Sequence, residues 1–311
     1  MKHIFIINPA AGQGKKQAGF IRALHERQLP FYLTRSAADC EAHVRKLCSE
    51  SREPMRVYAC GGDGTLHEVV NGLATFGHVE AGLIPLGSGN DFIRNFAPPL
   101  AHYRDLDRQL VGQAVDVDLI RYESTVETED VGGREQAVRY AVNMFNIGFD
   151  CAVVDAMSRV KRYPLVKGSF GYLLSIAVVM VKKPSIDLSV EFGDGTQQIG
   201  SVLLVAVANG CFCGGGLKGM PRAQTDDGLI DVCIINDVPR RTLVSVLPGF
   251  AKGTHLEDKR VEGKLLYKKC ESLSIRPAAG EMRICADGNV ETVNDVTFTI
   301  EKKKLKFVLP R

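Results

Sequence analysis

The chain has 311 residues, 45% hydrophobic and 24% charged, with 39 Lys and Arg against 36 Asp and Glu for a net charge of +3. This globular balance excludes a disordered tail, a collagen-like fibre and a coiled coil. It is also too even for a nucleic-acid partner, which leaves a stronger basic signature. The length suggests about two domains, with enough buried surface to need no disulfide staples.

The nine Cys are odd in number, and the closest pair, Cys211 and Cys213, lacks the spacing of a zinc site. They read as reduced cytosolic thiols. The N-terminal run reaches Asn8-Pro9 too soon for a signal-peptide core. The longest apolar run, near Tyr172 to Val181, falls well short of the ~20 residues that span a bilayer. The expectation is a cytoplasmic protein with no transmembrane segment, able to visit the inner face of a membrane peripherally.

Along the chain, Lys2 to Asn8 predicts a buried strand that runs into the turn Pro9-Ala10-Ala11-Gly12-Gln13-Gly14. Helical spacing over Lys15 to Gln28 follows, then a strand at Phe31 to Thr34. A helix over Ala37 to Glu50 places Cys40, Val44, Leu47 and Cys48 on one face. Met55 to Cys60 is a third strand, ending in Gly61-Gly62-Asp63-Gly64, with a helix from Thr65 to Ala74 behind it. Glu80 to Ile84 is a fourth, closed by Pro85-Leu86-Gly87-Ser88-Gly89-Asn90-Asp91. Strands and helices alternating in this way predict a parallel α/β sheet.

After about Val115 the pattern changes. Strands are predicted at Val115 to Tyr122, Val138 to Ile147, Ile186 to Phe192, Gln198 to Ala208, Ile230 to Ile235, Lys264 to Lys269, Ser272 to Arg276, Met282 to Ala286 and Val296 to Ile300. Asp-Gly and Gly-Gly pairs between them suit hairpins. Helices are expected only at Cys151 to Val160, Phe170 to Val181 and Arg240 to Lys252, and Ser124 to Gln136 reads as an exposed acidic loop. The fold expected is therefore an α/β N-terminal domain with a parallel sheet, residues 1–122, followed by a mainly antiparallel β domain, residues 123–300.

Ligands of open α/β sheets bind beyond the carboxyl ends of the strands. Three of the four N-terminal strands end there in glycine-rich turns, which side by side would make one site. The first turn fits neither the Walker nor the dinucleotide fingerprint, because its glycines are two apart and position 17 is Gln17. Gly61-Gly62-Asp63-Gly64-Thr65 is sharper. Its glycines admit backbone to a phosphate, and Asp63 adds a carboxylate that calls for a cation or a hydroxyl to deprotonate. Gly87-Ser88-Gly89-Asn90-Asp91 repeats the logic. Gly214-Gly215-Gly216 and the acidic Asp226-Asp227-Gly228 loop suit a hard cation or a plain crossover loop equally. Gly193-Asp194-Gly195, between two β runs, reads as a hairpin turn.

The series Asn-Pro-x-x-Gly, Gly-Gly-Asp-Gly-Thr, Gly-Ser-Gly-Asn-Asp-Phe and Pro-x-Ala-x-x-x-Asp-Asp-Gly resembles the bacterial diacylglycerol kinase and lipid kinase family, which has relatives acting on sphingoid bases. The order and spacing match over nearly the whole chain. The resemblance implies a first domain similar to NAD kinase and phosphofructokinase, a β-sandwich-like second domain, and a C-terminal segment, within 301–311, that returns to the first. It implies ATP and Mg²⁺ as cofactors. Nucleotide would lie against Asn8, Gly12, Thr34, Gly61, Gly62, Asp63, Gly64, Thr65, Leu66, His67, Glu68, Gly87, Ser88, Gly89 and Asn90. Asp63, Asp91 and Asp118, with Asp116 as the alternative to the last, would surround the catalytic Mg²⁺. A second, structural Mg²⁺ would take Gln224, Asp227 and the Leu229 main chain. A lipid drawn from a membrane surface would be the acceptor, and the family suggests a homodimer.

One departure matters. The family carries Asp-Gly-Glu in a late hairpin, with that Glu as base, whereas here the run is Asp287-Gly288-Asn289. An amide cannot accept a proton as a carboxylate does. Asp63 could serve instead, Glu291 could reach the site, or the chain could be an impaired kinase that binds nucleotide and lipid as a regulator. A soluble-metabolite kinase such as an NAD kinase is a third reading, which the later motifs disfavour. Lys161, Arg162, Lys167, Lys182 and Lys183 are candidate membrane-facing cations or a plain solvated face.

Overall fold

The computed structural model describes residues 1–14, 17–127, 134–149, 151–153, 156, 175, 179 and 185–311. The helices expected at Cys151 to Val160 and Phe170 to Val181 fall largely outside the described residues, as do Lys15 and the five candidate membrane-facing cations.

The first strands are β1 (Lys2–Ile7), β2 (Phe31–Leu33), β3 (Met55–Gly61) and β4 (Val79–Pro85). They pair in parallel in the order β2-β1-β3-β4. Between them run α1 (Gln17–Glu26), α2 (Ala37–Glu50) and α3 (Asp63–Leu73). Ser36 caps α2 by accepting the Asp39 amide at 3.1 Å. Cys40, Val44 and Cys48 are buried, as their spacing predicts. Gly72 lets α3 approach α2 closely, because a Cβ there would stand 2.7 Å from the Val44 Cβ. Two short helices that the sequence reading did not anticipate, α4 (Leu100–Arg104) and α5 (Leu106–Leu110), lead out of this unit.

The rest is mostly antiparallel. β5 (Gln113–Glu127) pairs with β6 (Arg134–Ala141), so strand pairing narrows the expected acidic loop from both sides. β7 (Met144–Gly148), β8 (Ile186–Phe192), β9 (Gln197–Ala208), β10 (Ile230–Asn236) and β11 (Leu265–Cys270) follow. Then come β12 (Ser272–Pro277), β13 (Met282–Ala286), β14 (Asn289–Val293) and β15 (Asp295–Leu309). The Gly193–Gly195 run is the turn between β8 and β9, where Glu191 faces Gln197. The single strand expected over Val138 to Ile147 is two, because the amides of Val142 and Asn143 leave the ladder for the Asp287 carboxylate.

β15 joins the two halves. Its first part pairs with β12, while Lys306 and Phe307 lie parallel to β4, which places Leu305–Leu309 against the first unit. β5 runs alongside antiparallel, with an irregularity between Glu301 and Leu305. The core divides at the same level. Val117, Leu119, Leu305 and Phe307 pack with β1, β3 and β4, whereas Ile120, Tyr122, Phe298 and Ile300 pack with the antiparallel strands. Cys40, Cys48, Cys60, Cys211 and Cys270 are free thiols. Among the described residues no helix is long and apolar enough to cross a membrane.

Helix α6 (Arg240–Lys252) ends on Gly253 in the left-handed conformation. Just beyond it, His255 is fully buried against Phe250. Burial disfavours the imidazolium, and the pKa falls from 6.5 to about 4. The folded state thus prefers neutral His255. This stability is present above the unfolded pKa and is lost as pH falls toward the folded one, at most about 3 kcal/mol. Melting temperature followed between pH 6.5 and 4 is therefore expected to fall less steeply in His255→Leu than in the wild type.

Candidate active site

The carboxyl ends of β1, β3 and β4 open into the three glycine-rich turns, and the turns touch. Gly12 has φ +57°, and a Cβ there would meet the Leu86 carbonyl oxygen at 2.2 Å. A Cβ on Gly87 would stand 2.5 Å from the Gly62 Cα. The Gly61 carbonyl accepts the amides of Leu86 and Gly87 at 2.8 and 2.9 Å. Only glycine permits this spacing.

Asn8 sits at the floor of the cradle. Its Nδ2 donates to Thr65 Oγ1 at 3.1 Å and its Oδ1 accepts the Ala10 amide at 2.9 Å. Thr34, buried at the end of β2, donates its amide to the Ile7 carbonyl at 2.9 Å. Ser88 is exposed, and Asn90, at φ 52°, donates to the Gly87 carbonyl. No side chain caps the N-terminus of α3, which begins at Asp63 within the β3 turn. Such a terminus favours phosphate.

Three expected nucleotide neighbours have their side chains engaged elsewhere. Leu66 is in the hydrophobic core. His67 is buried with Nδ1 3.0 Å from Asp287 Oδ2. Glu68 is half-buried, and burial raises its pKa, with Cys40 as a hydrogen-bond partner. Of this stretch, Gly61, Gly62, Asp63, Gly64 and Thr65 form the cradle.

Asp63 and Asp91 are brought together. Asp63 Oδ1 accepts the amides of Asp91 at 2.8 Å and Phe92 at 3.2 Å. Asp91 accepts the Gly215 amide at 2.9 Å, which ties the second half of the chain to the first. Arg94 Nε lies 3.5 Å from Asp91 Oδ1, and Nη2 donates to the Gly89 carbonyl. A Cβ on Gly89 would stand 2.9 Å from Asp63 Oδ2 and 3.4 Å from Asp91 Oδ2, so both oxygens face the same space. Burial, then the charge of Asp91, pushes the Asp63 pKa well above the usual carboxylate range. Burial raises Asp91 too, opposed by the Gly215 amide and Arg94. Two hard oxygen donors converging on one space suit Mg²⁺.

Asp118 has a different place. It is fully buried; Oδ2 accepts the Gly228 amide at 2.7 Å and Oδ1 the Lys303 amide at 2.6 Å. Its carboxylate thus fastens two loops instead of joining the Asp63–Asp91 pair. Asp116 is exposed. The second metal set is likewise not assembled as expected. Gln224 is exposed, while Asp227 Oδ2 accepts Lys269 Nζ at 2.6 Å and Asp227 Oδ1 accepts the Leu229 amide at 3.0 Å.

Asn289 opens β14 and lies over the start of α3, its Oδ1 3.4 Å from where a Gly64 Cβ would be. Glu291 is elsewhere: it accepts Tyr122 Oη at 3.2 Å and lies 3.6 Å from Arg139 Nη1. The sequence reading missed the part played by Asp287. At φ 47° it forms the β13–β14 turn and accepts the amides of Val142, Asn143 and Met144 as well as facing His67. The Asp-Gly pair marked the turn; nothing local marked its distant partners.

Comparison with known proteins follows the same two halves. Residues 2–122 match the diacylglycerol kinase catalytic domain, and 143–309 match the YegS C-terminal NAD kinase beta sandwich-like domain. A diacylglycerol kinase of Staphylococcus carnosus (strain TM300) is 26% identical over 282 residues, covering 90% of this chain and 84% of that one. The diacylglycerol kinase of Bacillus subtilis (strain 168) is 24% identical over 311 residues, 98% and 95% of the two chains. A crystal structure of a diacylglycerol kinase from Bacillus anthracis str. Sterne superposes with a TM-score of 0.64 at 19% identity, covering 99% of this chain and 96% of that one, a likeness of fold. The glycine cradle with its carboxylate pair, and family models that together take in both halves, place this chain in the diacylglycerol kinase family of lipid kinases.

Proposed function

We propose that this chain transfers the γ-phosphate of ATP to the primary hydroxyl of diacylglycerol or a similar lipid. The convergence of Asp63 Oδ2 and Asp91 Oδ2 beside three touching glycine turns carries this reading. The amides at the start of α3 and the Gly61–Gly64 and Gly87–Gly89 backbones bind the phosphates. Asp63 and Asp91 would hold Mg²⁺, which when bound offsets the negative charge that spreads over the transferring group.

Removal of the hydroxyl proton falls to Asp63. Asn289 has no proton-accepting oxygen comparable to a carboxylate, and Glu291 is held by Tyr122 and Arg139. Asp63 keeps Oδ1 on the Asp91 and Phe92 amides, which fixes the orientation of Oδ2. A cavity of about 330 Å³ beside Asn95, Cys211 and Lys218 gives the polar end of a lipid room next to Asp91's loop. The acyl chains remain at a membrane surface in this reading, which makes the protein peripheral and transient there. A homodimer is part of the same proposal.

The Asn289 substitution favours one other reading, a regulator that binds nucleotide and lipid without phosphoryl transfer. Transfer of ³²P from ATP to diacylglycerol, monoacylglycerol, ceramide and sphingosine in mixed micelles separates the two. Label in diacylglycerol is expected; ATP binding with no label in any lipid would establish the regulator instead. Asp63→Asn should lower the transfer rate by about 10²–10⁴-fold while a fluorescent ATP analogue still binds. With Asp63 as base, Asn289→Glu should change the rate by less than about tenfold; a gain of roughly 10²-fold or more would mean that the wild type lacks a working base.

A further inference from the structure

We propose that Lys269 supplies, from within the chain, the positive charge that a structural metal would otherwise supply to the Asp227 turn. The family resemblance assigns a divalent cation to Gln224, Asp227 and Leu229, and the residues present do not fit one. Asp231 and Lys269 are directly opposed across the β10–β11 ladder, so their side chains leave the same face. Lys269 Nζ lies 2.6 Å from Asp227 Oδ2 and 3.0 Å from Asp231 Oδ2. Asp231 is fully buried, and its other oxygen accepts the Tyr267 hydroxyl. Asp227 Oδ1 accepts the Leu229 amide. Every carboxylate oxygen of the pair thus has a donor, and an ammonium already occupies the space between them. A divalent ion at Asp227 would have to displace a like charge anchored to the adjacent strand. Gln224, the other expected side-chain ligand, lines a cavity with Lys218.

An ammonium on the chain cannot be lost by dissociation or chelation, whereas a bound metal can. The Asp227–Ile230 turn is therefore fastened to β11 whether or not divalent cations are present. Among the described residues, metal dependence is then confined to the Asp63–Asp91 pair. This inference concerns folding and ion stoichiometry, and holds whichever lipid is the acceptor.

The test counts ions and reads melting temperature in the full chain, with Asp91→Asn as background so that the catalytic pair contributes little. In that background EDTA and millimolar Mg²⁺ should leave the melting temperature unchanged. Adding Lys269→Met should lower it and make it recover with Mg²⁺ or Mn²⁺. Mn²⁺ titration followed by electron paramagnetic resonance should then count one more bound ion per chain than without the substitution. Because Lys269→Met leaves the buried Asp231 without its ammonium partner and can compromise folding, Asp227→Asn in the otherwise wild-type chain gives a second measurement. It should leave the number of bound Mn²⁺ ions unchanged. Loss of one ion on Asp227→Asn, or a melting temperature in the Asp91→Asn background that drops on chelation, overturns the proposal.

Discussion

Backbone stands against backbone at Gly62 and Gly87, and the rest of the site is arranged around that contact. Any side chain at Gly87 would drive the β3 and β4 turns apart, since its Cβ would overlap the Gly62 Cα at 2.5 Å. The closeness lets the Gly61 carbonyl accept two amides from the neighbouring turn. It also lets Asp63, one residue past the contact, reach the amides at Asp91 and Phe92. Two turns from different strands thereby become one rigid surface. The carboxylate pair is a consequence of that packing, because neither Asp could face the other's space across a wider gap.

A second regularity runs through the molecule. Four aspartates reach across elements to accept main-chain amides: Asp63 from Asp91 and Phe92, Asp91 from Gly215, Asp118 from Gly228 and Lys303, and Asp287 from residues 142–144. A carboxylate that accepts main-chain amides makes strong hydrogen bonds. Each of these bonds fixes a loop that β-ladder pairing alone leaves free. Three of the four join segments more than eighty residues apart, which is how the antiparallel half is held over the glycine turns.

Local pattern decided what could be read in advance. The four parallel strands, α2, the hairpin at Gly193–Gly195 and most antiparallel strands follow from periodicity and turn chemistry within a few residues of each element. The glycine turns were legible as a site because strand topology sends all of them to one edge. What was not legible depended on partners far along the chain. The return of the C-terminal segment to the first unit came from the family resemblance, while the exposed, Lys-rich stretch 302–304 masks from local pattern that β15 continues to β4. Asp118 was a metal ligand only through the family resemblance, and its bonds to Gly228 and Lys303, over a hundred residues away, left no local trace. Lys269 was one residue in an ordinary strand until the β10–β11 register set it opposite Asp231.

The Asn at position 289 is best understood through the charges already beside it. Asp63 is half-buried and feels both Asp91 and Asp287, and the loss of solvent and the two like charges raise its pKa. Asn289 lies over the first turn of α3, against Gly64, the residue after Asp63. A glutamate in its place would bring a further negative charge to the same pocket. Like charges at such a site cannot all ionise, and one carboxyl would retain its proton. An amide avoids that competition while keeping a polar side chain at the hairpin tip. With Glu291 drawn off to Arg139 and Tyr122, the proposed role of base falls to Asp63. On that proposal, the absence of a glutamate at position 289 and the raised pKa of Asp63 are parts of one electrostatic arrangement.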